Sequence, residues 1–359
     1  MRASHPRQSS IDLDSPDRPF DNIINFRDVG RSVNQWLGRR VLKEGVLYRS
    51  ARPDDASERD KRRLSEELHI ATVIDLRSST EHQMATDKRR AENDAQLEKA
   101  DSSVSSDAAA AAAAATPDEH LVQLPGAQLH LVSLTGKAFE RTLLWRLDWW
   151  NLFKVLSLAA SGYRPDAITI VGEQVMSPRG LIGLGQDTLD SSTVEMRTLF
   201  HILASSSSTP TSTSSTPSSS SAPSSTSSET DEDNTPETNI PDTSQKESVY
   251  PLLIHCTQGK DRTGLIVLLC LLLVADVVPE DAMAADYVRS EPELVAEVDE
   301  RMKEIRKLGL SEEYTKCPAG FIGEIKRHLQ EVYGGVEGYL SYVGVTGEEV
   351  ERVRGVLLA

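Results

Sequence analysis

Along this chain, short unbroken blocks of Val, Ile and Leu alternate with charged stretches of helical character, and two long runs carry almost no large apolar residue. Ala71–Leu76 (ATVIDL) and Val249–Ile254 (VYPLLI) have the length and continuity of strands covered on both faces. Val46–Tyr48 is a shorter β-like run. Between it and Ala71, Ser57 followed three residues later by Asp60 resembles a capping box that opens a charged helix to about Leu68. Strand, helix, strand predicts a parallel sheet with helices on its faces. Gln128–Leu134, where Leu129, Leu131 and Leu134 are interleaved with polar residues, predicts a further strand.

The remaining pattern is helical. Lys137–Ala160 predicts one helix carrying Trp145, Trp149 and Trp150, three of the chain's four tryptophans, and its charges Arg141, Arg146, Asp148 and Lys154 argue against a bilayer span. The expectation is a helix packed on the sheet; the alternative is a lid or interfacial helix beside the site. Met176–Asp187 (MSPRGLIGLGQD) reads as a glycine-rich turn ahead of a helix from about Ser192 to Leu203, and its spacing does not match GxGxxG. Further helices are expected at Thr263–Ala275, at Glu280–Arg289 behind Pro279, at Glu293–Leu308, at Ala319–Val332, and in a last segment capped by Thr346 and Glu349. The strongest apolar run, Leu265–Val274, falls well short of the ~20 residues that cross a membrane and reads as a buried helix.

Composition divides the chain. Segment 92–119, with its alanine run, and segment 204–247, almost all Ser, Thr, Pro and acid, cannot build a core. The expected organisation is a disordered N-terminus over 1–18 and one α/β domain over 19–358 interrupted by those inserts. Of the formal charge of −16, most lies in the inserts: 92–119 has seven acids against Lys99, and 229–247 has seven against Lys246. The folded remainder is near −4, so a basic pocket is permitted, while nucleic acid and anionic membranes are disfavoured as partners. Cys256, Cys270 and Cys317 are too few for a disulfide framework and lack paired zinc-ligand spacing, which implies a reducing compartment and no metal. The first residues lack the apolar segment of a secretory signal, and a cytoplasmic location is expected.

The chemistry concentrates in His255-Cys256-Thr257-Gln258-Gly259-Lys260-Asp261-Arg262-Thr263-Gly264. A strand ending at His255, a glycine-bearing loop and then an apolar helix place the loop at a helix N-terminus, where free amides and the dipole hold an anion. The same field lowers the pKa of a thiol, so Cys256 is expected to be the nucleophile, with Arg262 coming round the loop to hold two phosphate oxygens. Thr263 is placed to hydrogen-bond the sulfur. His255, Thr257 and Gln258 form the loop wall, Gly259 lets the backbone curl, Gly264 lets the helix start pack closely, and Lys260 is expected at the rim. The leaving oxygen needs a proton, for which Asp261 and Asp75 are both candidates; Asp75 ends a strand expected to lie parallel beside that of His255, next to Arg77, which is expected among the substrate-binding residues. No cofactor is implied.

The loop HCTQGKDRTG resembles that of the cysteine-dependent tyrosine-phosphatase superfamily, and its GKDRTG form resembles the atypical tyrosine/serine protein phosphatase family. So do Asn25-Phe26-Arg27-Asp28-Val29-Gly30, Leu47-Tyr48-Arg49-Ser50, Val73-Ile74-Asp75-Leu76-Arg77-Ser78 with Glu81, Ala285-Asp286-Tyr287 and Tyr333–Leu340, in family order. Pro178–Asp190 is similar to fungal-type members. The resemblance implies a tyrosine-phosphatase-like α/β fold with a central, mostly parallel sheet flanked by helices. It implies a cysteine phosphatase of broad specificity acting on phosphorylated protein or phosphoinositides, and it favours Asp261 as the loop carboxylate linked to catalysis. Two other classes suit the same loop: a catalytically weak phosphate-binding scaffold, and a thiolate-based sulfurtransferase or arsenate reductase.

Overall fold

In the computed structural model, which describes residues 19–100, 121–205 and 248–359, the apolar blocks form one five-stranded sheet. The strands are β1 (Arg27–Asp28), β2 (Leu47–Ser50), β3 (Thr72–Asp75), β4 (Gln128–Leu131) and β5 (Leu252–His255), in the order β1-β2-β5-β3-β4. β1 runs antiparallel to β2, and every other pairing is parallel. The fold is therefore α/β with a mostly parallel sheet, as expected. Unbroken apolar blocks are needed because both faces are covered. Leu47, Ile74, Leu252 and Ile254 point into the larger core with the helix Asp261–Leu272, whereas Tyr48, Val73 and Leu253 point to the opposite face with Phe20, Leu64 and Ile70. That helix is buried at every position from Thr263 to Leu272, which explains why its sequence shows no polar face.

Local rules hold where they were read. Ser57 and Asp60 form a reciprocal capping box at the start of Glu58–Arg62, which continues as a π turn over Arg63–Glu67, and Thr346 and Glu349 do the same ahead of Gly347–Leu357. Four expectations need correction. Lys137–Ala160 is two helices, Lys137–Trp145 and Trp149–Ala160, because Asp148 turns its carboxylate onto the backbone N–H of Trp150 and Asn151 and begins a new N-terminus. Its tryptophans are exposed instead of packed on the sheet. Met176–Asp187 is largely helical, within Ser177–Ser191, and only Gly180, at φ 61°, breaks the helical path. Glu293–Leu308 is likewise divided, into Ser290–Leu294, a 3₁₀ turn over Val295–Glu297 and Val298–Lys307.

β4 is an edge strand, so Leu129 and Leu131 stay exposed although they follow the expected alternation. The helix Ser79–Ala100 runs into the first nine positions of the segment expected as an insert at 92–119. The rest of that insert, the N-terminal segment 1–18 and nearly all of 204–247 lie outside the described residues.

Candidate active site

β2 and β3 flank β5 in parallel with their last residues level: Ser50 and Asp75 both stand opposite His255. Three carboxyl ends thus open into one crevice, the usual ligand position in such sheets, and the loop 256–260 crosses it before the helix begins at Asp261. Donors outside the loop hold its carbonyls. Arg52 N donates to Thr257 O at 3.1 Å, Asn25 Nδ2 to Gln258 O at 2.8 Å, and Arg49 Nη2 to Gly259 O at 2.8 Å. In a planar trans peptide the N–H points opposite to the C=O, so turning these carbonyls outward turns the amides of Gln258, Gly259 and Lys260 inward. Gly259 has φ 66°, and a Cβ there would lie 2.0 Å from Ser50 O, so no side chain fits. At Gly264 an added Cβ would press on the Tyr287 ring at 3.0 Å.

A buried ion cluster holds the loop from behind. Asp286 accepts from Arg27 Nε at 2.8 Å and from Arg49 Nη1 at 2.6 Å, with all three side chains almost fully buried. These residues come from the three motifs NFRDVG, LYRS and ADY, whose separate positions in the sequence meet here. Burial and the neighbouring Arg27 push the Arg49 guanidinium down to about 10, against the pull of Asp286.

Cys256 is buried at the start of the loop, within electrostatic reach of both Arg49 and Arg262. Arg262 is gripped by Glu81 through two bonds, Nη1 to Oε2 at 2.5 Å and Nη2 to Oε1 at 2.6 Å. Glu81 also accepts from Thr257 Oγ1 at 2.5 Å and from the backbone N–H of Ser78. Burial works against its charge, yet the Arg262 guanidinium overrides this and holds the carboxyl well below the usual carboxylate range. Glu81 was visible in the sequence only as part of a motif; its role as the residue that sets the Arg262 fork depends on a contact across 181 positions. Thr263 Oγ1 is buried without a hydrogen-bond partner, as is Gln258 Oε1.

Two expectations change at this point. Asp75 was a candidate proton donor, but it is fully buried and accepts from the Arg77 backbone N–H and Nε at 3.0 Å, with His255 Nε2 3.7 Å away. Burial raises its pKa, but His255 and Arg77 more than offset that and bring it to about 2, so at neutral pH it has no proton to give. Arg77 is itself shared between Asp75 and Asp54, which it meets at 2.6 Å. His255, whose pKa burial lowers, contacts the Cys256 carbonyl through Nδ1 at 3.3 Å, a loop-supporting position.

Lys260 is the second correction. It is fully buried instead of lying at the rim, and its ammonium donates to the Tyr314 and Lys316 carbonyls, tying the loop to the segment 312–316. Asp261 Oδ1 lies 3.2 Å from Lys260 Nζ, at ion-pair distance but without hydrogen-bond geometry, and is otherwise unpartnered.

Asp75 makes a testable pH statement. A carboxyl held near 2 when folded and near ~3.9 when unfolded contributes its full stabilisation above about pH 4, and loses it as pH falls through about 2. Asp75→Asn is therefore expected to lower unfolding free energy at pH 7 by about 2 kcal/mol, with the gap to wild type closing between about pH 4 and 2. Urea titrations across that range measure it, and a gap independent of pH would contradict the pairing.

A cavity of about 630 Å³ opens in front of the loop and is reached by Thr257, Asp261 and Arg262. Its lining is mixed: the cations Arg52, Arg77 and Lys88 stand with the acids Asp54 and Asp55, and Phe139, Leu143 and Leu181 supply apolar surface. Burial pushes the Cys270 thiol up to about 12 and the Cys317 thiol up to about 11, which makes both poor resolving thiols. Among the described residues no group of three His, Cys, Asp or Glu side chains is arranged to hold a metal ion.

With this geometry in place, comparison with known proteins is specific. The sequence model described as "Tyrosine phosphatase family" matches residues 18–145 and 238–359, more than half of the chain. The "Triple specificity protein phosphatase PtpB" of Mycobacterium tuberculosis is 34% identical over 123 residues, which is 30% of this chain and 44% of the relative. A "Tyrosine-protein phosphatase" of Nostoc commune is 34% identical over 115 residues, 29% of this chain and 37% of the relative. The chain thus spans less than half the length of these curated relatives.

Proposed function

This chain belongs to the tyrosine phosphatase family, and from that premise we propose that it hydrolyses phosphomonoesters through a cysteinyl-phosphate on Cys256. The observation that carries the reading is the loop itself: its carbonyls are drawn outward by Arg49, Asn25 and Arg52, so its amides face the space between Cys256 and Arg262 at the start of a buried helix. In the first step the Cys256 thiolate attacks phosphorus in line, the P–O ester bond breaks, and the leaving oxygen takes a proton. The inward amides and the Arg262 fork hold the equatorial oxygens as their charge grows. In the second step water attacks phosphorus and gives a proton to the carboxylate that donated in the first, the S–P bond breaks, the thiolate leaves and inorganic phosphate is released. Thr263 Oγ1, buried and unpartnered, is the hydroxyl available to a departing thiolate.

The proton donor in this reading is Asp261, the loop carboxyl that reaches the cavity, in preference to the sealed Asp75. Asp261→Asn is expected to slow alkyl phosphates by roughly 10²-fold or more while sparing aryl phosphates with acidic leaving groups. A uniform loss across a leaving-group series would remove Asp261 from this role. Substrates are phosphotyrosine-bearing proteins, with phosphoserine, phosphothreonine and phosphoinositides as further members of the class. The cavity supports this by offering apolar surface for the ester's carbon body and cations for its charge, and the mycobacterial relative is named for triple specificity. We place the protein in the cytoplasm, where its three unpaired cysteines stay reduced.

The whole reading is tested by alkylation. Iodoacetate is expected to modify Cys256 and remove aryl-phosphate hydrolysis in parallel, with inorganic vanadate protecting both the thiol and the activity. Hydrolysis that persists in the alkylated protein would reject a cysteinyl-phosphate.

A further inference from the structure

The helix Trp149–Ala160 (WWNLFKVLSLAA) is apolar at all positions except Asn151, Lys154 and Ser157. Its inner side is already satisfied: Val155 is buried, with Leu152 and Leu158 half-buried, in a small core shared with Phe139, Leu143 and Leu147. Its outer side still presents Trp149 at 65%, Trp150 at 66% and Phe153 at 69% exposure, with Leu156 beside them. The two indole rings lie 3.7 Å apart, and Trp145, at the end of the preceding helix, is exposed as well. A contiguous exposed aromatic patch of this kind marks an interaction surface. The family match leaves out residues 146–237, so this helix falls in a stretch that the shared family pattern does not account for.

The kind of partner follows from charge and residue type. Within Trp149–Ala160 the lone charge is Lys154, which is exposed. Across 137–160 Arg146 is paired with Asp187, and the exposed cations Lys137, Arg141 and Lys154 stand against the acids Glu140 and Asp148, a local excess of one positive charge in a chain whose formal charge is −16. Asp148 is also engaged as the helix cap, accepting from Trp150 and Asn151. A locally cationic face of tryptophan, phenylalanine and leucine matches the interfacial region of a bilayer, where indoles sit at the headgroups and lysines reach anionic phosphates. No described helix is long and apolar enough to cross a membrane, so the contact is a shallow one. The helix is tied to the cavity through its inner side: Val155 shares a core with Phe139 and Leu143, and those two residues line the cavity in front of the loop.

We propose that Trp149, Trp150 and Phe153, with Lys154, form a membrane-docking face that seats this protein on an anionic lipid surface. The docking goes beyond the hydrolytic reading and does not depend on it, because it is read with no substrate present. The test is sedimentation of the full chain with equimolar phosphatidylcholine and phosphatidylserine vesicles, together with quenching of tryptophan fluorescence by brominated lipid in the same vesicles.

Wild type is expected to sediment with the vesicles and be quenched. The triple variant Trp149→Ser, Trp150→Ser, Phe153→Ser is expected to bind tenfold more weakly or worse, and Lys154→Glu to lose affinity for the anionic vesicles. Circular dichroism and aryl-phosphate hydrolysis without vesicles should be unchanged in these variants, which separates lost docking from lost folding. Absence of vesicle binding, unquenched tryptophan or wild-type binding by the triple variant would overturn the proposal. So would a wild-type dimer that the triple variant resolves into monomers without any lipid contact, since a second copy would then be what covers this face.

Discussion

Cys256→Ser is expected to lower kcat for an aryl phosphate by roughly 10⁴-fold or more while leaving vanadate or phosphate binding nearly intact. The separation of the two effects is the informative part. In the proposed reaction the anion is held by the loop amides, the helix N-terminus and Arg262, none of which the substitution touches. Hydrolysis requires an anionic nucleophile at that position, and a serine hydroxyl stays protonated where a thiol ionises. Steady-state kinetics and calorimetric titration of vanadate measure the two quantities on the same sample. Residual hydrolysis near the wild-type rate would mean that another group attacks phosphorus; loss of both properties together would mean that Cys256 is needed to shape the loop.

The second large effect is expected far from the sulfur. Asp286→Ala should cost about 3–5 kcal/mol of unfolding free energy, because it leaves Arg27 and Arg49 buried without their carboxylate. Against a typical domain stability of about 5–15 kcal/mol that is a large fraction. Activity should fall as well in whatever remains folded, since Arg49 is the donor that draws the Gly259 carbonyl outward. Asp286→Asn, which keeps the shape and one acceptor, should lie between the two. Urea unfolding of the three proteins gives the order directly. An alanine variant as stable as wild type would show that the two arginines find other partners.

These two expectations differ in how visible their residues were. Cys256 and Arg262 lie on one continuous loop between a strand and a helix, so their spacing alone was enough to raise the expectation that they face each other. Asp286, Arg27 and Arg49 were visible as three motif members with no stated reason to meet, because 259 positions separate Arg27 from Asp286. Glu81 is similar: nothing in its local sequence identifies it as the partner of Arg262. The parallel placement of Asp75 beside His255 was correctly expected from two apolar blocks, yet its ionisation depended on Arg77 folding back onto it and on the depth of burial.

Lys260 shows the same limit within the loop. A lysine beside glycine suggested a solvated rim, but the ammonium turns inward to two carbonyls of a segment more than fifty residues away. The tryptophan helix is the opposite case, since its apolar pattern suggested burial and the fold leaves its outer face uncovered.

By itself the sequence determined what is local: which blocks are strands, where capping boxes start helices, and the order strand, cysteine, glycine, arginine, helix. Those features depend on backbone preferences and side-chain periodicity over a few residues, which a linear chain displays directly. Only the tertiary structure decided which carboxylate meets which guanidinium, which acid keeps its charge and which apolar face stays in water. Such outcomes depend on distance and burial between elements that the chain brings together from remote positions, and both Coulomb energy and desolvation are set by that assembly.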